Sequence, residues 1–258
     1  MKLPKKKIVN TVIWSTLLVA LLVTMSFIGG EQQNTICQGV EINIEPKVGN
    51  HFVDDTMVVS AISHGKGLSY ITSMPTSRIS LSDMEKELLL NPFIKNAEVY
   101  EALNGVLKVE VNQRRPLIRI ITSAGVSYYI DEDGFKMPAS TLYTARVMVA
   151  TGNIKETDEL TDSLRSKTLQ ELYTLAHYVD KNTFWKAQFE QIFVDRDNNI
   201  VVIPKVGNHE IILGNTDHLE EKLENLYIFY RKGLNKIGWD KYKTINLKFK
   251  GQIVCEKY

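Results

Sequence analysis

The sequence predicts an α+β fold held on one N-terminal transmembrane helix. Three patterns predict it. An uncharged, mostly apolar run follows a cluster of lysines. A strand–helix–helix–strand–strand succession comes next, within about 80 residues. A later region is dominated by short strands and broken by two amphipathic helices.

Lys2, Lys5, Lys6 and Lys7 precede residues 8–28, a run of 21 residues without an acid or a base. At ~1.5 Å per helical residue such a run matches the ~30 Å hydrocarbon thickness of a bilayer. Lysines on one flank and Glu31 on the other orient it by the positive-inside rule. The N-terminus is expected in the cytoplasm and the remainder outside. A cleaved signal peptide shares the basic start, but its apolar core is only ~7–15 residues long. No clean small-x-small cleavage site follows here, which favours a retained anchor. Residues 1–7 are then a cytoplasmic tail, 8–28 the transmembrane helix and 29–35 a short polar, Gly-rich linker.

The chain has 31 Lys+Arg and 30 Asp+Glu, and without the four leading lysines the balance is 27 against 30. Such a near-neutral outer region gives little reason to expect nucleic-acid binding, which usually needs a basic face. Two cysteines, Cys37 and Cys255, do not make a disulfide framework. They could pair in an oxidising compartment. Two separate thiols are the favoured reading, because free cysteine behaves as a small hydrophobe.

A first unit is expected over 36–115. Val40, Ile42 and Ile44 alternate with Glu41, Asn43 and Glu45, as in a half-buried strand. Residues 52–64 read as a helix, with Phe52, Thr56, Val59 and Ile62 on one face. Asp54 and Asp55 suit the positive end of its dipole. Ser82 and Glu85 fit a capping box at the head of a second helix. Leu81, Met84 and Leu88 supply its stripe, and Asn91 with Pro92 stops it. A hairpin follows, with Ala97, Val99 and Leu103 at period two. Asn104 and Gly105 form a type I′ turn signal, and Leu107, Val109 and Val111 line the return strand.

Arg115 and Pro116 mark a break. Across 116–258, strands are expected at 117–122, 127–130, 146–150, 188–194, 200–203 and 210–213. A last pair is expected at 244–249 and 252–256. Asp-, Asn- and Gly-rich turns lie at 131–134, 195–199 and 207–208. The two helices read as 163–179 and 217–232. Asp217 is expected to cap the second and Gly233 to end it. The hexapeptide at 46–51 recurs at 204–209, but the flanks diverge, so the two copies read as similar turns.

No catalytic, cofactor or metal residue is assigned. His51, His64, His177, His209 and His218 have no zinc-site spacing and read as surface or turn residues. Asp131 with Asp133, and Asp195 with Asp197, lack the ligand spacing of a calcium loop and read as hairpin turns. Neither a phosphate loop nor a nucleophile elbow occurs. This favours a binding or scaffolding protein over an enzyme.

Four segments carry a family resemblance. They are Asn91-Pro92-Phe93-Ile94-Lys95-Asn96-Ala97-Glu98-Val99, then Gln113-Arg114-Arg115-Pro116 after the strand Leu107-Lys108-Val109-Glu110-Val111. Tyr129-Ile130-Asp131-Glu132-Asp133-Gly134 follows, and Ile245-Asn246-Leu247-Lys248-Phe249 with Ile253-Val254 closes the set. In order and spacing they resemble the FtsQ/DivIB family of bacterial cell-division proteins. Gln113 stands where that family usually has Glu, Asn246 where it has Asp, and Phe249 where it has Tyr.

The resemblance implies a POTRA domain over 36–115 and a β domain over 116–258. It implies a non-enzymatic divisome scaffold in the inner (cytoplasmic) membrane at the septum, with its C-terminal domains periplasmic or otherwise extracytoplasmic. The scaffold would link early and late division proteins and hold an FtsB/DivIC–FtsL-type pair, helping to control septal peptidoglycan synthesis. Other divisome components are further partners on this reading. The family's β domain receives a partner segment beside its last strand. That makes Asn246, Lys248, Phe249, Lys250, Gln252, Ile253 and Val254 the expected partner-binding residues. The alternation fits: Leu247 and Phe249 are expected on one face, and Asn246, Lys248 and Lys250 on the other. No later element is expected to cover this edge. An ordinary edge strand protected by Lys248 and Lys250 is the competing reading. Two other functions fit less well. One is a POTRA-bearing envelope factor that takes secreted or outer-membrane polypeptides by strand addition. The other is an envelope hydrolase with an unrecognised site.

Overall fold

In the computed structural model, residues 5–31, 36–46, 49, 51–155 and 164–258 are described. The lysine cluster opens directly into helix α1, Lys5–Glu31, which covers the expected apolar run and continues through Gly29 and Gly30. The linker's residues 32–35 and the tail's residues 1–4 lie outside the described residues. Within α1, the side chains of Val9, Asn10 and 12–24 are described, and all are exposed. Among the described residues no helix is long and apolar enough to cross a membrane.

The chain divides into two units, Met1–Gly49 with Val53–Gln113, and Asn50–Phe52 with Arg114–Tyr258. The first unit keeps the expected strand–helix–helix–strand–strand order, with one further short helix and a 3-10 turn between the two expected helices. The alternating segment forms β1, Gly39–Glu45. Helices α2 (Asp55–Ile62) and α3 (Leu68–Thr72) and a 3-10 turn at Thr76–Arg78 lead to α4 (Leu81–Leu89). Strands β2 (Ile94–Glu101) and β3 (Val106–Gln113) close the unit. The sheet order is β1-β3-β2, with β1 parallel and β2 antiparallel to β3. Val58, Ile62, Met84 and Leu88 from the helices are buried, as are Val99, Leu107, Val109 and Val111 from the strands. This is the period-3.6 face meeting the period-2 face.

Several local expectations for this unit are corrected. Asp54 is the cap of α2 rather than part of its first turn: its Oδ1 accepts the Met57 N–H at 2.8 Å. Phe52 is outside the helix and meets Tyr143 edge-on at 5.0 Å in the second unit. The capping box does not form. Ser80 occupies the cap of α4 and donates to Asp83 at 2.8 Å, while Glu85 accepts the Val99 N–H at 2.9 Å. A tertiary donor on β2 therefore takes the carboxylate that local pattern assigns to the helix end. Leu103 is fully exposed in the hairpin turn. Gly105 takes φ +75° and donates to Ala102 O at 2.9 Å, whereas Asn104 has no positive φ, so the turn is not type I′.

The second unit opens with β4 (Pro116–Ile121), β5 (Ser127–Asp131), the unexpected short β6 (Lys136–Pro138) and β7 (Met148–Gly152). Helix α5 (Lys167–Lys181) starts four residues later than expected, capped by Ser166 Oγ, which accepts the Leu169 N–H at 3.2 Å. Residue 163 lies outside the described residues. A short unexpected α6 (Thr183–Gln188) precedes β8 (Phe189–Val194), β9 (Ile200–Pro204) and β10 (Glu210–Gly214). Helix α7 (Leu219–Phe229) continues as a π-turn, Tyr230–Leu234, and a last turn α8 (Asn235–Ile237). Strands β11 (Tyr242–Asn246) and β12 (Val254–Lys257) end the chain.

These strands form one nine-stranded sheet, β12-β11-β10-β9-β8-β7-β4-β5-β6. Leu169, Leu172, Leu175 and Val179 of α5 and Leu223 and Leu226 of α7 share one core with Ile118, Ile192, Val202, Ile211 and Ile245 of the sheet. Asp217 does not cap α7. It accepts from Asn215 Nδ2 at 2.6 Å, and His218 holds the cap position in the left-handed region at φ 53°. Gly233 lies inside the π-turn, and Gly238, at φ 98°, ends the helical stretch.

Three ion pairs, made by two arginines, set the start of the sheet. Buried Asp131 accepts the Asp133 and Phe135 N–H groups at 3.0 and 2.7 Å and pairs with Arg114 at 2.8 Å. Arg115 bridges Glu132 at 2.8 Å and Asp180 of α5 at 2.9 Å. Both carboxylate turns are hairpin turns as expected. Asp195 likewise accepts the Asp197 and Asn199 N–H groups, each at 2.8 Å.

Candidate partner interface

The expected partner residues lie at the open end of the nine-stranded sheet. β12 pairs antiparallel with β11, Asn246 opposite Val254 and Ile245 opposite Cys255, and among the described residues it has no second neighbour. Its outward N–H and C=O groups are of the kind an added strand can take up.

The two strands are shorter than expected, and residues 247–253 form a loop between them. Leu247 still donates to Ile212 O at 2.8 Å and is 2% exposed. The Lys248 N–H then turns back to Asn246 Oδ1 at 2.9 Å, and the ladder ends. Gln252 N donates to Phe249 O at 3.2 Å, and Gly251 takes φ +66°. Strand alternation therefore stops before Phe249, which is 53% exposed instead of sharing the buried side of Leu247. Lys248, Lys250 and Gln252 are exposed, Asn246 and Ile253 are half-buried, and Val254 is 45% exposed. Ile253 packs on the core and so contributes to folding.

The loop forms one side of a hollow of about 300 Å³, and His218, Glu221, Lys222 and Asn225 of the α7 start form the other. These four were not legible as site residues, since they lie a helix away in sequence. Lys222 holds this corner. Its Nζ donates to Leu213 O at 3.1 Å and Asn215 O at 2.9 Å, and burial pushes its pKa down. The stem of Lys248 lies over Gly214, where a Cβ would come within 2.8 Å of its Cγ. Both thiols are free. Cys37 is buried, and burial pushes the Cys255 thiol up, away from a reactive thiolate.

Residues 115–256, more than half of the chain, match the family model described as FtsQ/DivIB, C-terminal related. The chain belongs to the FtsQ/DivIB family. Residues 35–112 match the POTRA-like domain model. No curated protein matches the chain. FtsQ/DivIB proteins are non-enzymatic scaffolds, and the two matched domains together support a division-related scaffold with divisome proteins as partners. In this FtsQ/DivIB chain the C-terminal related domain coincides with the nine-stranded sheet and its helices, and the POTRA-like domain with the three-stranded unit.

Proposed function

We propose that this FtsQ/DivIB protein is a single-pass divisome scaffold that holds an FtsB/DivIC–FtsL-type pair and helps control septal peptidoglycan synthesis. Residues 1–7 form the cytoplasmic tail, 8–28 the membrane span and 29–35 the linker. The POTRA-like domain, 36–115, and the β domain, 116–258, work outside the inner membrane at the septum. The all-round exposure of Trp14, Leu17, Leu18, Leu21 and Leu22 on α1 supports the span, because an apolar helix surface in water is costly.

The partner segment adds as a strand beside β12. The observation that carries this reading is the outer side of β12, unpaired among the described residues and flanked by the exposed apolar side chains of Phe249 and Val254. On this reading Lys248, Lys250 and Gln252 make rim contacts and Asn246 holds the loop. The experiment is affinity purification of the full-length, membrane-extracted chain from its native cells beside its Phe249→Asp variant. Enrichment of FtsB/DivIC- and FtsL-like proteins, reduced about tenfold or more in the folded variant, is the expected result. Equal enrichment with both forms would move the site elsewhere. Recovery of secreted or outer-membrane clients instead would overturn the division reading.

A further inference from the structure

The helical layer of the second unit carries a groove that shares no lining residue with the hollow at loop 247–253. Tyr178 of α5, Phe184 and Trp185 of α6, and Glu220, Glu224 and Tyr227 of α7 surround about 440 Å³. Past Tyr178 and Glu220 a second hollow of about 620 Å³ lies between α5 and α7, and it is this one that meets the loop hollow, at His218 and Glu221. Its floor is preorganised: Phe184 meets Trp185 and Tyr227 edge-on, each at 4.8 Å. Rigid rings offer contact area at a small entropic cost.

The rim is acidic. Glu220 and Glu224 are exposed, one turn apart on α7, and neither makes an ion pair among the described residues. The helix dipole accounts for a carboxylate in the first turn at Glu220, but it has faded by Glu224. Burial, together with these two charges, pushes the Tyr178 phenol up. Among neighbouring cations, Lys181 lines the far hollow, and Arg231 is held by the Tyr227 hydroxyl at 2.9 Å.

We propose that this groove docks a basic amphipathic segment of a partner protein. Its apolar side chains lie on Phe184 and Tyr227, and its lysines or arginines lie between Glu220 and Glu224. Aromatic faces beside unpaired carboxylates attract a cation twice over, by ring quadrupole and by charge. An acidic segment would meet like charge at the rim.

The test uses the full-length chain in detergent and two dye-labelled peptides of about four helical turns. They share the same leucine positions, and one carries lysine where the other carries glutamate. Fluorescence anisotropy is expected to show saturable binding of the lysine peptide only. The Glu220→Gln, Glu224→Gln double variant, with an unchanged melting temperature, is expected to bind about tenfold more weakly. Phe184→Ala is expected to weaken binding and keep its salt dependence. Glu210→Gln, Glu256→Gln and Phe249→Asp are expected to leave binding unchanged, which separates this groove from the terminal-strand site. Equal binding of both peptides, no saturable binding, or full binding by the Glu220, Glu224 double variant would overturn the proposal.

Discussion

At the scale of single residues, the departures from expectation are polar groups that find partners far away in sequence. His209 reads as a turn residue within the second copy of the hexapeptide, yet it is 2% exposed and its Nε2 lies 2.8 Å from the Tyr230 hydroxyl. Trp239 covers the same pair, with its ring 4.8 Å from that of Tyr230. Burial pushes the His209 pKa below its ordinary 6.5, outweighing the Trp239 backbone and Asp240, which act the other way. Above about pH 6.5 the imidazole is neutral in both folded and unfolded chains. As pH falls below that, the unfolded chain takes up a proton that the folded one refuses. Stability therefore drops until pH passes the folded value, by at most about 1.4 kcal/mol per pH unit. Thermal unfolding between pH 7.5 and 5 is expected to show a shallower decline for His209→Gln, which can still bond Tyr230 and does not titrate. Equal slopes for the two proteins would refute it.

At the scale of elements, close backbone approach decides what a strand tolerates. Gly152 ends β7 at φ +104°, opposite Val194 in the parallel pairing with β8. A Cβ there would collide with the Val194 carbonyl. Gly152→Ala is expected to destabilise the β domain by about 2–3 kcal/mol, read as a lowered urea midpoint with an unchanged m-value. Gly125→Ala is the comparison: its φ of +84° carries the same backbone cost, but a Cβ there meets nothing. It is expected to cost less, and equal losses would show that steric contact with Val194 contributes nothing. The elements that escaped the sequence reading share one property. β6, α3, α6 and α8 have three to six residues each, too few for an apolar period to repeat.

At the scale of the whole molecule, the first question is how the chain is held. Helix α1 has 27 residues, about 40 Å at ~1.5 Å per residue, and its described apolar side chains find no cover. With the proposed anchor, the full-length protein is expected to stay in the membrane pellet after alkaline carbonate extraction. Deletion of 1–31 is expected to move it to the supernatant. Peptides covering Lys5 to Lys7 should be present in the mature protein by mass spectrometry. A mature chain beginning after residue 31 would instead establish a cleaved signal.

The sequence by itself determined the order of the longer elements in both units. Period-2 and period-3.6 apolar patterns of seven residues or more are local, and each had only one way to bury its face, as in β1, β3, α5 and α7. The turn chemistry of Asp131 and Asp195 was equally local, because each carboxylate reaches N–H groups two and four residues on. Only the tertiary structure decided where strand β11 stops, that Glu85 serves β2 rather than its own helix, and that the start of α7 faces loop 247–253. Those outcomes depend on which donor, acceptor or apolar surface arrives from a distant part of the chain. The same holds for the aromatic groove between α5, α6 and α7, whose lining residues span fifty positions of sequence and meet only because three helices share one sheet.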